Sequence, residues 1–163
     1  ADTVFAKGEG FAGKADQLLA TLVNEEHIRS DRYKRKIIAG YSMAGLFALY
    51  ACVKSTCFDG CVCCSGSLWY PAFVSWLQGK DVNCRYVYLS LGKKEKKSRN
   101  PVLAGIETCT QSVYRYLNRN HLCTLVFNEG NHFTDIDGRL SEGITWMKKM
   151  IDEDIENEHL SCF

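Results

Sequence analysis

The chain lacks a charge excess of either sign: 20 basic residues face 19 acidic ones, a formal net charge of +1. Nothing in that balance calls for nucleic acid or an anionic membrane surface as a partner. No uninterrupted apolar run is long enough to span a bilayer. The stretch 37–53 carries no charge, but it falls short of the ~20 residues a span needs, and Gly40, Ser42 and Gly45 interrupt it. There is no basic leader with an apolar stretch and a cleavage site, so a secretory signal is not expected. The start, Ala1-Asp2-Thr3, has no initiator methionine and is consistent with a processed, trimmed or fragmentary beginning. There is no internal repeat and no low-complexity segment.

Cysteine is plentiful, yet what a metal site needs is missing. The cluster Cys61-Val62-Cys63-Cys64 has no second pair at zinc-site distance and no flanking histidine. The total of nine is odd, which does not suit a fully paired disulfide framework. The cluster reads as a buried strand, and Cys52 and Cys109 fall within helical patterns, so the thiols are expected to be small buried apolar groups. No metal and no cofactor is expected. Free thiols imply a reducing compartment, with the cytoplasm as the default.

At 163 residues the chain is expected to form one domain, residues 1–163, with a core of useful size. Residues 1–12 read as a loop. Ala15, Leu18, Leu19, Leu22 and Val23 recur at three and four and predict a helix over 14–29. Short apolar strands are expected at 36–40, 60–65, 84–91 and 122–127, separated by helices at 42–54, 72–78 and 101–118, where Pro101 suits a first turn. A last helix is expected over 138–152 and a frayed acidic tail over 153–163. Strands alternating with helices predict an α/β fold with a mainly parallel sheet covered by helices on both faces.

The sequence is organised around Ile37-Ile38-Ala39-Gly40-Tyr41-Ser42-Met43-Ala44-Gly45. This is G-x-S-x-x-G, with Ala44 where a second glycine usually sits. A strand turning sharply into a helix puts the serine hydroxyl at the top of the sheet, and small neighbours are required because strand and helix nearly touch. A buried strand, turn and helix without chemistry is the competing reading of the motif alone.

Function in such sheets gathers at the carboxyl ends of the strands. After the successive strands come Ser42; Ser65, Ser67 and Trp69; Glu95; and His132. A serine, an acid and a histidine thus follow strand ends in the chain order of α/β-hydrolases. His132 would take the serine proton and hand it to the leaving group, and a carboxylate would fix the ring tautomer. Glu95 is the choice for that acid, although its lysine-rich surroundings also fit a solvated loop. Asp59, Asp81, Asp135 and Asp137 are alternatives, the last two late for the usual order. The backbone N–H of Met43 would form half of an oxyanion hole. Tyr41 and Trp69 are candidate substrate-binding side chains, with Trp69 equally suited to the core. Ser65 and Ser67 read as pocket-wall or turn residues. His27, His121 and His159 follow no strand.

The chain resembles the esterase branch of the α/β-hydrolases that includes enterochelin esterases, S-formylglutathione hydrolases and feruloyl esterases. The resemblance runs from about Gly10 to Met150. It rests on Ile38-Ala39-Gly40-Tyr41-Ser42-Met43-Ala44-Gly45, Ser65-Gly66-Ser67-Leu68-Trp69, Ser90-Leu91-Gly92-Lys93-Lys94-Glu95 and Gly130-Asn131-His132-Phe133. It implies Ser42 as nucleophile, His132 as base and Glu95 as acid, in a position where the family often has aspartate. It also implies several strands before the elbow, one of whose loops supplies the other oxyanion donor. Here only a loop and one helix precede 36–40, so the chain is expected to be the C-terminal part of that fold. Its first strand would then be an unpaired apolar edge, open to a second copy.

The expected function is hydrolysis of carboxylic esters, of a siderophore or of a small acyl alcohol, through an acyl-enzyme on Ser42. The alternatives are acyl transfer with the same triad and a non-catalytic binding domain of hydrolase fold. The expected partner is a small-molecule ester, with homo-oligomerisation through the open edge, and neither nucleic acid nor membrane.

Overall fold

A computed structural model describes residues 13–30, 33–97 and 104–160. The predicted loop over 1–12 and the start of the helix predicted over 101–118 lie outside the described residues. The chain divides into two compact units, residues 1–34 and 35–163.

In the first unit the helix predicted over 14–29 is two helices, α1 (Ala15–Asn24) and α2 (Glu26–Arg29). Glu25 between them is extended, with ψ 136°, and its carbonyl accepts from the Ile28 and Arg29 N–H groups at 3.0 Å to start the second turn. Apolar periodicity runs through the break because it does not report the backbone of one polar residue.

The second unit is an α/β sandwich. Its strands are β1 (Ile37–Tyr41), β2 (Gly60–Cys64), β3 (Tyr86–Gly92) and β4 (Leu122–Asn128). All neighbours are parallel, in spatial order β1-β2-β3-β4. Parallel neighbours require crossovers, here α3 (Met43–Lys54), α4 (Phe73–Leu77) and α5 (Ile106–Leu117). Every residue of β2 and β3 is buried, as the apolar runs of central parallel strands require. β1 and β4 are the edges, where Ile37 and Leu122 keep more than a third of their surface.

Successive residues of β2 serve opposite faces. Cys61 and Cys63 face α3, whose Cys52 neighbours Cys61 and whose Gly45 lies against the Cys63 sulfur. Val62 and Cys64 join Tyr86 and Tyr88 beneath Met147 and Ile151 of the last helix, α6 (Ile136–Leu160). This helix is longer than the predicted 138–152. The acidic segment expected to fray continues it to Leu160, because Ile155 packs on the core cluster and Asp154 accepts from the Tyr86 hydroxyl and pairs with Arg85 at 2.8 Å. A run that reads as acidic thus has a second face that is tied down.

Candidate active site

Ser42, Glu95 and His132 each lie just beyond a strand's carboxyl end, and Tyr41 is the last residue of β1. Ser42 is the hinge between β1 and α3, with φ 56° and ψ −119°. That left-handed backbone is strained for a residue with a Cβ and is held from three sides. Ser42 N–H donates to the Cys64 carbonyl at 3.0 Å, and its own carbonyl accepts from Leu46 at 3.1 Å and Ser67 at 3.0 Å. The turn closes only because position 40 is glycine: a Cβ there would lie 2.2 Å from the Ala44 carbonyl oxygen. The Ser42 hydroxyl is displayed 3.3 Å from that of Ser67 and 3.1 Å from Nε2 of His132.

His132 is carried by the loop between β4 and α6. Gly130 takes φ +94° there, a conformation L side chains rarely adopt. Asn131 folds the tip by accepting through Oδ1 from the Phe133 N–H at 2.9 Å and the Thr134 hydroxyl at 3.2 Å. The main chain is also tied to the loop after β3, where Lys94 N–H donates to the Gly130 carbonyl at 2.9 Å. The His132 ring spans the site, with Nδ1 2.8 Å from Oε2 of Glu95. An ionised carboxylate only accepts, so Nδ1 carries the proton and Nε2 is free to accept one from Ser42.

Glu95 opens a short 3-10 turn, Glu95–Lys97. The lysines around it suggest a solvated loop, yet its side chain is 4% exposed. Its Oε1 accepts from the Gly92 N–H at 2.7 Å and the Ser65 hydroxyl at 2.5 Å. Burial pushes this carboxyl up, but the hydrogen bonds from His132, Ser65 and Gly92 outweigh burial and leave it below the ordinary carboxylate value. It therefore stays charged at neutral pH. Of the alternatives, Asp59 lies at the opposite end of the sheet, bonded to Arg35 at 3.2 Å and to the Lys36 N–H at 2.8 Å.

Two residues read otherwise, or not at all, from the sequence stand behind this trio. Ser65, read as a wall or turn residue, is fully buried with φ 43° and spends its proton on Glu95. Arg139, 2% exposed in the first turn of α6, had no reading. Its Nη2 donates to the Ser65 hydroxyl, its Nη1 to the Tyr41 hydroxyl at 2.6 Å, and its Nε to Oδ1 of Asn128 at 3.1 Å. The available signal was its spacing: positions 139, 143, 147 and 151 form one helical stripe, and the stripe is otherwise apolar or glycine. Tyr41, proposed as a substrate contact, turns its hydroxyl to this network and donates to the His132 carbonyl at 2.7 Å. Trp69 is half-buried in the loop after β2, two residues beyond Ser67. The structure thus joins Ser42, His132, Glu95 and Tyr41 through hydrogen bonds. Met43, first residue of α3, has a main-chain N–H among those a helix start leaves without an intrahelical acceptor.

The described cysteines are all free thiols, and among the described residues no group of three His, Cys, Asp or Glu side chains is placed to hold a metal ion. Among the described residues no helix is long and apolar enough to cross a membrane.

No protein-family model matches the chain, and no curated protein matches it in sequence. Solved structures do. Siderophore hydrolase EstA from Aspergillus nidulans superposes with a TM-score of 0.61 at 21% identity, over 92% of this chain and 62% of its own. Siderophore hydrolase EstB from the same organism gives 0.60 at 19%, over 88% and 60%. The enterobactin esterase FES from Shigella flexneri, in the presence of 2,3-di-hydroxy-N-benzoyl-serine, gives 0.60 at 26%, over 84% and 37%. The chain therefore spans about three-fifths of the fungal hydrolases and under two-fifths of the bacterial esterase. It is an α/β protein with a parallel sheet, and its fold is one found in esterases of the hydrolase type.

Proposed function

We propose that this chain is a serine hydrolase of carboxylic esters, with Ser42 as nucleophile, His132 as general base and Glu95 as the acid that orients it. One observation carries the reading: an unbroken relay from Ser42 Oγ to His132 Nε2 at 3.1 Å and from His132 Nδ1 to Glu95 Oε2 at 2.8 Å. Both links are within the reach that proton transfer needs.

Ser42 Oγ attacks the ester carbonyl carbon while its proton passes to His132 Nε2. The oxyanion that forms is met by the Met43 N–H at the positive end of α3. When the carbon–oxygen bond of the ester breaks, His132 gives its proton to the departing alkoxide, and the acyl group remains on Ser42. Water then repeats the sequence, losing a proton to His132 as it attacks the acyl carbon and releasing the acid and free Ser42. Glu95 stays ionised throughout and stabilises the imidazolium.

A siderophore ester is the substrate class we favour, because two of the solved structures it resembles are named siderophore hydrolases and the third an enterobactin esterase; a small acyl ester is the alternative class. A reducing, cytoplasmic setting belongs to the same reading and rests on the free thiols. The test pairs a fluorophosphonate probe with turnover of p-nitrophenyl acetate. Labelling of Ser42, with turnover lost in Ser42→Ala, is expected. Equal turnover in the two proteins, or no labelling, overturns the proposal.

A further inference from the structure

Arg139 does not reach the Ser42 hydroxyl, yet it touches the supports of both other members of the trio. Its guanidinium donates to the Ser65 hydroxyl, which donates to Glu95, and to the Tyr41 hydroxyl, which donates to the His132 carbonyl. It also lies 3.6 Å from Oε1 of Glu95 and stacks 5.2 Å over the Tyr41 ring. We propose that Arg139 is a positioning residue that fixes the direction of these two hydroxyls and so holds the acid and the base in register. The inference rests on the roles assigned above to Ser42, His132 and Glu95.

The argument is one of donor inventory. A hydroxyl has one proton and can send it either way, whereas a guanidinium offers five donors and no acceptor. Each hydroxyl facing Arg139 must therefore accept from it. The Ser65 proton is left for Glu95, and the Tyr41 proton for the carbonyl of His132. One rigid fork thus sets two rotors that end on two different loops. Lysine would supply the charge without the fork. The charge matters as well. The titratable groups placed against it are Tyr41 from β1, Cys64 from β2, Tyr88 from β3 and Glu95 beyond β3, with Glu142 of its own helix facing the same Cys64 and Tyr88. A cation 3.6 Å from the Glu95 carboxylate opposes proton uptake there, and its removal makes that uptake easier.

The experiment compares wild type, Arg139→Lys and Arg139→Met in p-nitrophenyl acetate turnover across pH, with kcat expressed per fluorophosphonate-labelled site. Arg139→Lys is expected to lose about tenfold in kcat while the acidic limb of the profile stays in place, because the charge remains and the fork does not. Arg139→Met is expected to lose at least as much and to move that limb up by about half a pH unit or more. A merely structural arginine would lower the labelled fraction and leave kcat per site and the limb unchanged; that result overturns the proposal. If Arg139→Met does not fold, Ser65→Ala replaces it. It keeps the guanidinium and cuts the arm to Glu95, so kcat per site should fall at least about fivefold, and a wild-type value overturns the role. Absence of Ser42-dependent turnover in the wild type brings down the hydrolase reading and this role with it. Turnover in the wild type with unaltered variants brings down only the role of Arg139.

Discussion

The Tyr41 hydroxyl donates to the main-chain carbonyl of His132 at 2.7 Å, although Tyr41 ends one edge strand of the sheet and His132 lies in the loop that follows the opposite edge strand. Three strand spacings of about 4.8 Å separate those edges, so the loop after β4 reaches back across the carboxyl ends to arrive beside Ser42. The residue before the nucleophile thereby restrains the base. Tyr41→Phe keeps the ring beside His132 and removes the bond. We expect stability to fall by about 1 kcal/mol and kcat to drop by about tenfold with KM little changed, since a base misplaced by a fraction of an ångström reacts poorly. Steady-state kinetics with a thermal melt check this; an unchanged kcat would show that the loop holds itself.

Gly40→Ala should be the most damaging of the small substitutions near the elbow. The added Cβ would sit 2.2 Å from the Ala44 carbonyl oxygen and 2.3 Å from its carbon, both backbone atoms that cannot swing aside. At Gly45 the nearest atoms are 3.1 Å away, close enough to crowd and far enough to be relieved. Gly40→Ala is therefore expected to cost about 3 kcal/mol or more and to abolish Ser42 labelling, and Gly45→Ala about 1 kcal/mol. Denaturant melts of the two variants give the comparison.

How much of this was legible follows from what each feature writes into the chain. The strand Gly60–Cys64 was readable because burial on both faces leaves an apolar run. The chain order of Ser42, Glu95 and His132 was readable because each follows such a run. The depth at which Glu95 lies was not: five neighbouring basic residues describe the outside of its loop, while burial is decided by Gly92, Ser65 and His132 from elsewhere. Ser65 was visible as a residue past a strand end, but nothing local says that its hydroxyl points at a carboxylate 30 residues on. Arg139 shows in the sequence only as a charge on an otherwise apolar helical stripe. The end of α6 was misjudged because Ile155 and Asp154 find partners on β3 and in the core that the tail itself does not reveal.

The carboxyl of Glu95 links folding to pH. Burial raises it, but the bonds from His132, Ser65 and the Gly92 N–H lower it more, and the folded value lies below the ordinary one. The native state then binds this proton less readily than the unfolded chain. The stabilisation is present in full above the unfolded value, about 4.3 for a glutamate, and is lost as pH falls through the lower folded value. Unfolding free energy measured between pH 7 and 3 should decline at the acid end, and Glu95→Gln should be less stable at pH 7 and flatter below pH 4. A parallel decline in both proteins would assign the loss to other carboxyls.

Thiol chemistry should be confined to a minority of the cysteines in the native protein and should leave catalysis alone. Burial pushes the Cys61 thiol up to about 12, and burial with the neighbouring Cys84 does the same for Cys123. At pH 8 only about one in ten thousand of such groups is a thiolate, the form that reacts. Cys52, Cys61, Cys63, Cys64 and Cys84 are also buried, which bars a reagent sterically. Among the described residues Cys57, Cys109 and Cys123 are partly exposed, and of these Cys57 and Cys109 are open to attack, Cys123 being held back by its raised thiol. None of these cysteines is hydrogen-bonded through its sulfur to Ser42 or His132; the Cys64 sulfur donates to the Arg139 carbonyl at 3.5 Å. Native protein treated with a chromogenic disulfide reagent at pH 8 should therefore release far fewer equivalents than the same protein in guanidinium. Alkylation under native conditions should leave ester turnover within about twofold of the untreated protein, because the groups it reaches lie outside the relay. Rapid native reaction of the buried five would mean that the sheet opens far more readily than its packing implies. Loss of turnover on alkylation of the partly exposed three would mean that a thiol takes part in a site assigned here to an oxygen nucleophile.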